Sequence, residues 1–534
     1  MGRPRPLWLR WGGDRIEVGD DTSTQRPGLD SAALQDRAIR GLTWTMIHTV
    51  VAIPIGFAVN LLLARLLAPE GYGRLAFLTE LITIAGSVLA IGLTPAMIQF
   101  GSKAHAAGRD REVTRILSAS QGFRLLVVAP ALTVLVVLLV DVPWPFLLIA
   151  VIFGVWVSAF VDGGPITLFI ENKSDVGAKI AMVTNVAVQV GVVATVLVVG
   201  TADAVWATRV IVAAVCIGLY LIAVSPVYRK AVLRPRLPRN FPKGFWRFAL
   251  PTGLAGLIGS LVVSRTEVLF LQWLSTPTQV GLFALAFGVS AHIFAPAQAL
   301  TGPLIPAVAG LREVGPDKLD LAFRRTLRAS STIASLLVAA AIPALTLLLP
   351  LLYGDDFRDA APAVLVLGLV GGLAVSTGPV SAFALARLSA RILLIANVVA
   401  LVVDVVLAIA LIPMIGLWGA VIANGAGALT RLTVLLWSET RALGVRPSLV
   451  LAALLPTPLS ALACTIAWLG SAYLPVPVVL QAAVAAVASL TLLILGMRLT
   501  GTGLTTADVE AVQRAIPRRL APMARAALSF VTQK

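Results

Sequence analysis

The sequence predicts an all-α, polytopic membrane protein of fourteen transmembrane helices, and three observations predict it. The 534 residues are 58% hydrophobic and only 13% charged. An average globular chain is roughly 25% charged, so there is too little charge here to cover the apolar surface in water, and a soluble enzyme is excluded. The apolar residues fall into runs of about 20, the length that crosses a bilayer as a helix. The basic residues, which give a net charge of +16, sit in short clusters between those runs. That is the pattern of a topology signal rather than of a nucleic-acid surface.

Taken in order, residues 1–41 read as a disordered, basic cytoplasmic tail. Apolarity begins only near Leu42, after seven arginines, which argues against a cleavable signal peptide. Spans then fall near 42–64, 75–99, 118–140, 144–170, 176–199 and 204–224, each closed by charged residues or by Pro and Gly. A basic linker, 225–247, follows. The next six spans fall near 248–274, 280–306, 328–352, 360–386, 390–412 and 416–437. Two more lie within 448–497, ahead of a basic cytoplasmic tail at 498–534. Gly and Pro, at 44 and 32 residues, are tolerated in bundled spans whose neighbours satisfy the freed backbone. An even number of spans puts both ends on one side. With both ends cytoplasmic, all but six of the 42 Lys and Arg fall on that side. The exceptions are Arg65, Arg74 and Arg358 outside, and Arg209, Arg265 and Arg431 within spans.

The chain also repeats itself. Leu66, Pro69, Gly73, Ala76 and Pro95 recur 208 residues later as Leu274, Pro277, Gly281, Ala284 and Pro303. At a shift of 212, Ala178, Lys179, Ile180, Asn185 and Val186 meet Ala390, Arg391, Ile392, Asn397 and Val398. Six spans per repeat is even, so the sequence predicts two six-helix lobes, 42–224 and 248–437, in a parallel pseudo-two-fold repeat, with two C-terminal helices appended. Two homologous lobes imply alternating access.

Three stretches carry a resemblance: Leu63-Ala-Arg-Leu-Leu-Ala-Pro-Glu-Gly-Tyr-Gly73; Leu352-Tyr-Gly-Asp-Asp-Phe357 with Ala360-Ala-Pro-Ala-Val-Leu365; and Ile412-Pro-Met-Ile-Gly-Leu-Trp-Gly-Ala420. They are loop and packing signatures, and in order they resemble the Wzx-type oligosaccharide or polysaccharide flippases of the multidrug/oligosaccharidyl-lipid/polysaccharide (MOP) exporter superfamily, over roughly residues 40–440. The resemblance implies two six-helix lobes around a central cavity, with two extra helices. It also implies transfer of an undecaprenyl-pyrophosphate-linked sugar unit from the cytoplasmic to the outer leaflet of the bacterial inner membrane. The expected partners are the lipid-linked glycan, membrane lipids, and a polysaccharide polymerase and glycosyltransferases. Three alternatives stay open: a peptidoglycan-precursor flippase, a drug/cation antiporter, and a non-transporting membrane scaffold for glycosyltransferases.

Charges inside spans mark the candidate working residues, because each is costly in hydrocarbon. Arg265, the deepest arginine, is expected to face the cavity and to meet a phosphate with its planar fork, or else to form an internal ion pair. Glu267 and Glu80 join Arg265 as cavity candidates for substrate binding; Glu267 is weighed between proton coupling and a buried hydrogen-bonded role, and Glu80 is expected at a solvated mouth. Asp404 stands seven residues after Asn397 on the same helical face, as a polar patch or cation site. Asp162, before Gly163-Gly-Pro165, is a further ion-coupling candidate or a local helix-break cap. Arg209 and Arg431 lie near span ends and read as snorkelling anchors. Thr252, Gly256, Ser260 and Ser264 form a small-residue stripe, read as a packing face. His48 and His292 are solitary imidazoles expected to be hydrogen-bonded in the core. No catalytic residue, metal ligand set or cofactor is expected. No phosphate-gripping Gly-rich loop followed by Lys occurs, so transport is expected to run on an ion gradient, membrane potential or substrate removal.

Overall fold

The computed structural model describes residues 31–503, apart from 91, 239–240, 264–265, 300, 316–317 and 388–389. Among the described residues there is no strand. The first half comprises α1 (Ser31–Ala90), α2 (Leu93–Ala106), α3 (Asp110–Phe123), α4 (Ala129–Leu139), α5 (Trp144–Ile149), α6 (Ser158–Val161), α7 (Gly163–Ile170), α8 (Ser174–Val198) and α9 (Ala202–Ala223). Arg124–Val128 joins α3 to α4 and Ala150–Val157 joins α5 to α6, both as π-helix. A connecting helix α10 (Pro226–Val232) precedes α11 (Phe245–Val263), α12 (Glu267–Leu274), α13 (Pro277–Ala299) and α14 (Thr301–Val314). Then come α15 (Leu319–Tyr353), α16 (Ala361–Ala386), α17 (Ala390–Ile415) and α18 (Leu417–Leu443). The last three are α19 (Pro447–Leu454), α20 (Pro456–Ala472) and α21 (Val478–Leu499).

Twelve stretches among the described residues are long and apolar enough to cross a bilayer, where the sequence predicted fourteen. The difference falls in two places. Val51–Ser87 runs through the first two expected spans as one helical stretch, broken by Ala68 at φ 54 and ψ 175 just before Pro69. At about 1.5 Å per residue an unbroken helix of that length would reach about 55 Å, far more than the roughly 30 Å of hydrocarbon. The expected span 248–274 contains residues 264–265, which lie outside the described residues, so α11 (to Val263) and α12 (from Glu267) are described separately. One correction concerns the N-terminal tail. Ser31 to Arg40 is helical rather than disordered, since Ala33, Leu34, Gln35 and Arg37 are strong helix formers that extend the first span. The tail residues 1–30 and 504–534 lie outside the described residues.

Among the described residues the buried hydrophobic side chains form four clusters, and their placement defines two ends of the bundle. At the end away from the basic stretch Arg229–Arg247, one continuous core joins both halves, with Leu63, Tyr72 and Val205 packed together with Phe283, Leu349 and Ala420. Polar and aromatic contacts bind the halves there. The Arg65 guanidinium donates to the carbonyls of Leu351 and Leu352, and Tyr72 meets Phe357 edge-on at 6.1 Å. At the basic end the cores are separate, one around Met97, Ile116, Ile170 and Val232 and one around Phe323, Phe383 and Leu435. The fourth, around Phe294, Ile342, Cys464 and Leu493, seats the two C-terminal helices α20 and α21 on α15.

The connecting segment is docked rather than loose. The Tyr228 hydroxyl donates to Asp110 Oδ1 at 2.5 Å and lies 2.8 Å from His105 Nδ1. The middle of the stripe read as a packing face is open: a Cβ on Gly256 would meet nothing within 4 Å, and Ser260 is exposed, while Ser264 lies outside the described residues. The helix instead makes its close approaches at Gly253, against Gly92, and at Gly259, against Asn397. Every fourth small residue marks a face on which approach is sterically allowed; which neighbour uses it depends on the rest of the bundle.

Candidate functional site

The second half carries a buried polar cluster in hydrocarbon-spanning helices. Glu267, in the first turn of α12, is 1% exposed, and Asp404, in the middle of α17, is 5% exposed. Their carboxyl groups adjoin each other. The Asn424 side-chain amide on α18 donates to Glu267 Oε1 at 2.7 Å, and the Thr266 hydroxyl donates to Asp404 Oδ2 at 3.3 Å. Three acceptors, Glu267 Oε2, Asp404 Oδ1 and Asn397 Oδ1, are buried without a hydrogen-bond donor. Buried oxygens of this kind are costly unless paired. Two adjoining carboxyls in a low-dielectric interior are stable only with a proton or a cation between them.

Thr266 and Glu267 stand at the start of α12, and their side chains bond across to α17 and α18. Asn397 lies two turns from Asp404, about 10 Å along α17. It faces α11, where a Cβ on Gly259 would come within 3.1 Å of its Nδ2. The structure therefore brings Glu267 and Asp404 together and sets Asn397 on the same face toward the basic end. Arg265 lies outside the described residues.

Asn424 also lines an interior cavity of about 160 Å³ between α13, α16 and α18, together with Ser290, Thr377 and Arg431. Arg431 is thus no snorkelling anchor. Two turns beyond Asn424 on the same face, it is turned into the second half, and its Nε has no hydrogen-bond partner. Sequence depth alone gave the distance to the span end but not the direction of the side chain. The first half has no matching acids. At the repeat shifts of 208 and 212 residues, Glu267 and Asp404 correspond to Val59 and Val192, both buried in the shared apolar core.

The other candidates lie apart from this cluster. Glu80 is buried, not at a solvated mouth, because the second part of α1 is covered by α8, α9 and α13. Arg209 on α9 donates to the hydroxyl of its neighbour Thr79 at 3.4 Å. Asp162 pairs with Arg124 at 2.9 Å, beside a cavity of about 180 Å³ in the first half. Arg124, near the cytoplasmic start of the expected span 118–140 and among the Lys and Arg placed on the cytoplasmic side, has a side chain only 7% exposed. The π-helical turn that begins at Arg124 was invisible in the residue pattern. His292 Nδ1 lies 2.6 Å from the Gly288 carbonyl oxygen, in agreement with the core role expected for it, whereas His48 Nε2 is buried without a partner. Among the described residues no group of three or more His, Cys, Asp and Glu is arranged to hold a metal ion.

Comparison with known proteins places this architecture. The family described as polysaccharide biosynthesis protein matches residues 38–308, half of the chain. The chain belongs to that family. Its fold is that of the MOP superfamily. An inward-facing multidrug resistance MATE transporter of that superfamily superposes with a TM-score of 0.58 at 18% identity, over 77% of this chain and 99% of that one. The lipid II flippase MurJ, in an inward closed conformation, gives 0.60 at 12% identity, over 85% and 98%. A mutant of the Vibrio cholerae MATE transporter VcmN gives 0.51 at 15% identity, over 79% and 100%. No curated protein matches the chain. This polysaccharide biosynthesis family member is a multi-pass membrane protein, as its apolar helices require.

Proposed function

We propose that the protein is a flippase that carries a lipid-linked oligosaccharide or polysaccharide repeat unit, bound to undecaprenyl pyrophosphate, from the cytoplasmic to the outer leaflet of the bacterial inner membrane. The family match over residues 38–308 carries the reading. The arrangement of the two halves supports it: they are bound together at one end and separately cored at the basic end, which the distribution of Lys and Arg makes cytoplasmic. In this reading a head group enters there and passes between the halves, shielded from hydrocarbon, while its lipid tail stays in the bilayer. This removes the several kcal/mol that each unsatisfied polar group would cost in hydrocarbon.

The driving force in this reading is an ion gradient acting at Glu267 and Asp404. Loading the acid pair with a proton or cation removes the repulsion between its carboxyls and lets α12 close on α17. Unloading separates them and favours the opposite opening. Arg265 is the proposed diphosphate contact. No nucleotide is hydrolysed in this scheme.

The test is reconstitution in liposomes with a fluorescent undecaprenyl-pyrophosphate sugar and a membrane-impermeant quencher. Protein-dependent movement of the label between leaflets is the expected result. Movement of lipid II alone would favour the peptidoglycan reading, and exchange of cationic dyes for protons the antiporter. No movement of any substrate, with glycosyltransferases bound, would favour the scaffold.

A further inference from the structure

A wide apolar groove lies outside both the acid cluster and the space between the halves. It is a groove of about 870 Å³ on the outer side of the first half, walled by α4, the two π-helical segments and the strap Pro235–Leu237 of the connecting segment. Its walls are apolar: Leu125 and Leu126 from one π segment, Ile152 and Trp156 from the other, then Phe160 and Leu237. The π-helix is rare and is found mostly at functional sites, where its wider turn displaces side chains from the helical register. Here one π segment stands on each wall of the same groove.

Two contacts fix the groove's end. Gln121 donates to the carbonyls of Ala159 and Phe160 at 2.8 and 2.9 Å, holding α3 to α6. The strap is bonded to α3 by the Arg236 amide, which donates to the Ser118 carbonyl at 2.9 Å. A Cβ on Gly122 would come within 1.8 Å of the Arg236 carbonyl oxygen, so only glycine lets the strap lie there. From Gly122 to Pro130 the groove runs about 12 Å along its helix, close to the roughly 15 Å of one leaflet's hydrocarbon. Its closed end is cationic. Arg236 lines the groove, Arg234 lies two residues before it, just ahead of the strap, and Arg111 and Arg115 stand on the same stripe of α3 as Ser118 and Gly122; all four are exposed.

We infer that this groove is a binding site for one anionic phospholipid of the basic-side leaflet, its acyl chain between the π-helical walls and its phosphate at Arg236 and Arg115. An apolar slot one leaflet deep fits a hydrocarbon chain, and guanidinium groups at its headgroup end select an anionic head. No residue of the second half lines the slot, which separates it from the path proposed for cargo. The inference needs the membrane-spanning character of the chain but not the identity of that cargo.

The experiment places the full-length protein in vesicles containing brominated phosphatidylglycerol or brominated phosphatidylcholine at equal mole fraction. Quenching of Trp156 is read as the difference between wild type and Trp156→Phe. Brominated phosphatidylglycerol should quench Trp156 at about fivefold lower mole fraction than brominated phosphatidylcholine, the effect of one basic side chain at an anionic surface. Arg236→Gln should remove the preference while quenching persists. Equal quenching by both lipids in the wild type overturns the inference in favour of bulk lipid. Relief of quenching by undecaprenyl phosphate overturns it in favour of an isoprenoid tail. Should Trp156→Phe not accumulate, retention of phosphatidylglycerol over phosphatidylcholine by wild type but not by Arg236→Gln, read by native mass spectrometry, decides the same question. Equal retention overturns the inference.

Discussion

Gly73 and Gly281, counterparts under the 208-residue repeat, lie against each other between the two halves. A Cβ on Gly73 would come within 2.5 Å of the Pro277 carbonyl oxygen, and a Cβ on Gly281 within 1.8 Å of the Pro69 carbonyl oxygen. Each glycine thus meets the proline turn of the other repeat, a reciprocal contact of the kind a two-fold axis creates. Gly281→Ala should force these turns apart, at the roughly 1–3 kcal/mol typical of overpacking, and weaken closure at this end. The check is a cysteine at Leu285, a residue buried in the shared core, probed by an impermeant thiol reagent; Cys216 and Cys464 are themselves buried. Labelling should rise in the Gly281→Ala background, and unchanged labelling with normal abundance would show that the contact does not hold the end closed.

The acid pair gives a sharper prediction because its replacements are nearly isosteric. Glu267→Gln keeps an acceptor for the Asn424 amide, and Asp404→Asn keeps one for Thr266. Each removes one ionisable group. Both variants should accumulate normally, still equilibrate a lipid-linked sugar between leaflets, and lose acceleration by an imposed proton or sodium gradient. Acceleration retained in both would place coupling elsewhere.

What was legible in the sequence was whatever depended on one helix at a time. Asp404 and Asn397 share a face because they are seven residues apart, and α17 shows both buried on it. The meeting of Glu267 with Asp404 and Asn424 brings α12 against two helices more than a hundred residues further along the chain, and no spacing within one helix encodes it. Arg124 shows the opposite limit. It ends a run of basic residues that set topology, so charge counting placed it on the cytoplasmic side, while the π-helical turn that carries it inward leaves no trace in hydrophobic periodicity. The repeat was legible for another reason: Pro69 and Gly73 are constrained by the turn and by close approach, and such positions tolerate few residue types.

Arg265 is the proposed contact to the cargo's diphosphate. Arg265→Ala should lower transport roughly 10- to 150-fold, the loss of one charge-assisted contact to a phosphate worth about 1.5–3 kcal/mol. Arg265→Lys should recover part of it by keeping the charge without the fork. Abundance in the membrane has to be measured alongside. Normal abundance with unimpaired transport in Arg265→Ala would remove the residue from the site, and low abundance would assign it to an internal ion pair.

The Arg124–Asp162 pair makes a prediction about stability rather than transport. Arg124 is buried and Asp162 is 48% exposed, with 2.9 Å between them. Losing the acid leaves a guanidinium in the interior whose NH1 already lacks a hydrogen bond. Asp162→Asn should therefore destabilise more than Arg124→Met, which removes the buried charge and leaves a carboxylate within reach of solvent. Both effects should fall short of the roughly 3–5 kcal/mol found when a fully buried pair is broken, because water screens the half-exposed partner. The double variant, Arg124→Met with Asp162→Asn, should recover most of the loss, since an apolar side chain of similar length fills the site without a charge to satisfy. Thermal unfolding in detergent measures all three. A double variant no more stable than Asp162→Asn would mean that the Arg124 side chain matters for packing, and that the ion pair with Asp162 is incidental to the fold.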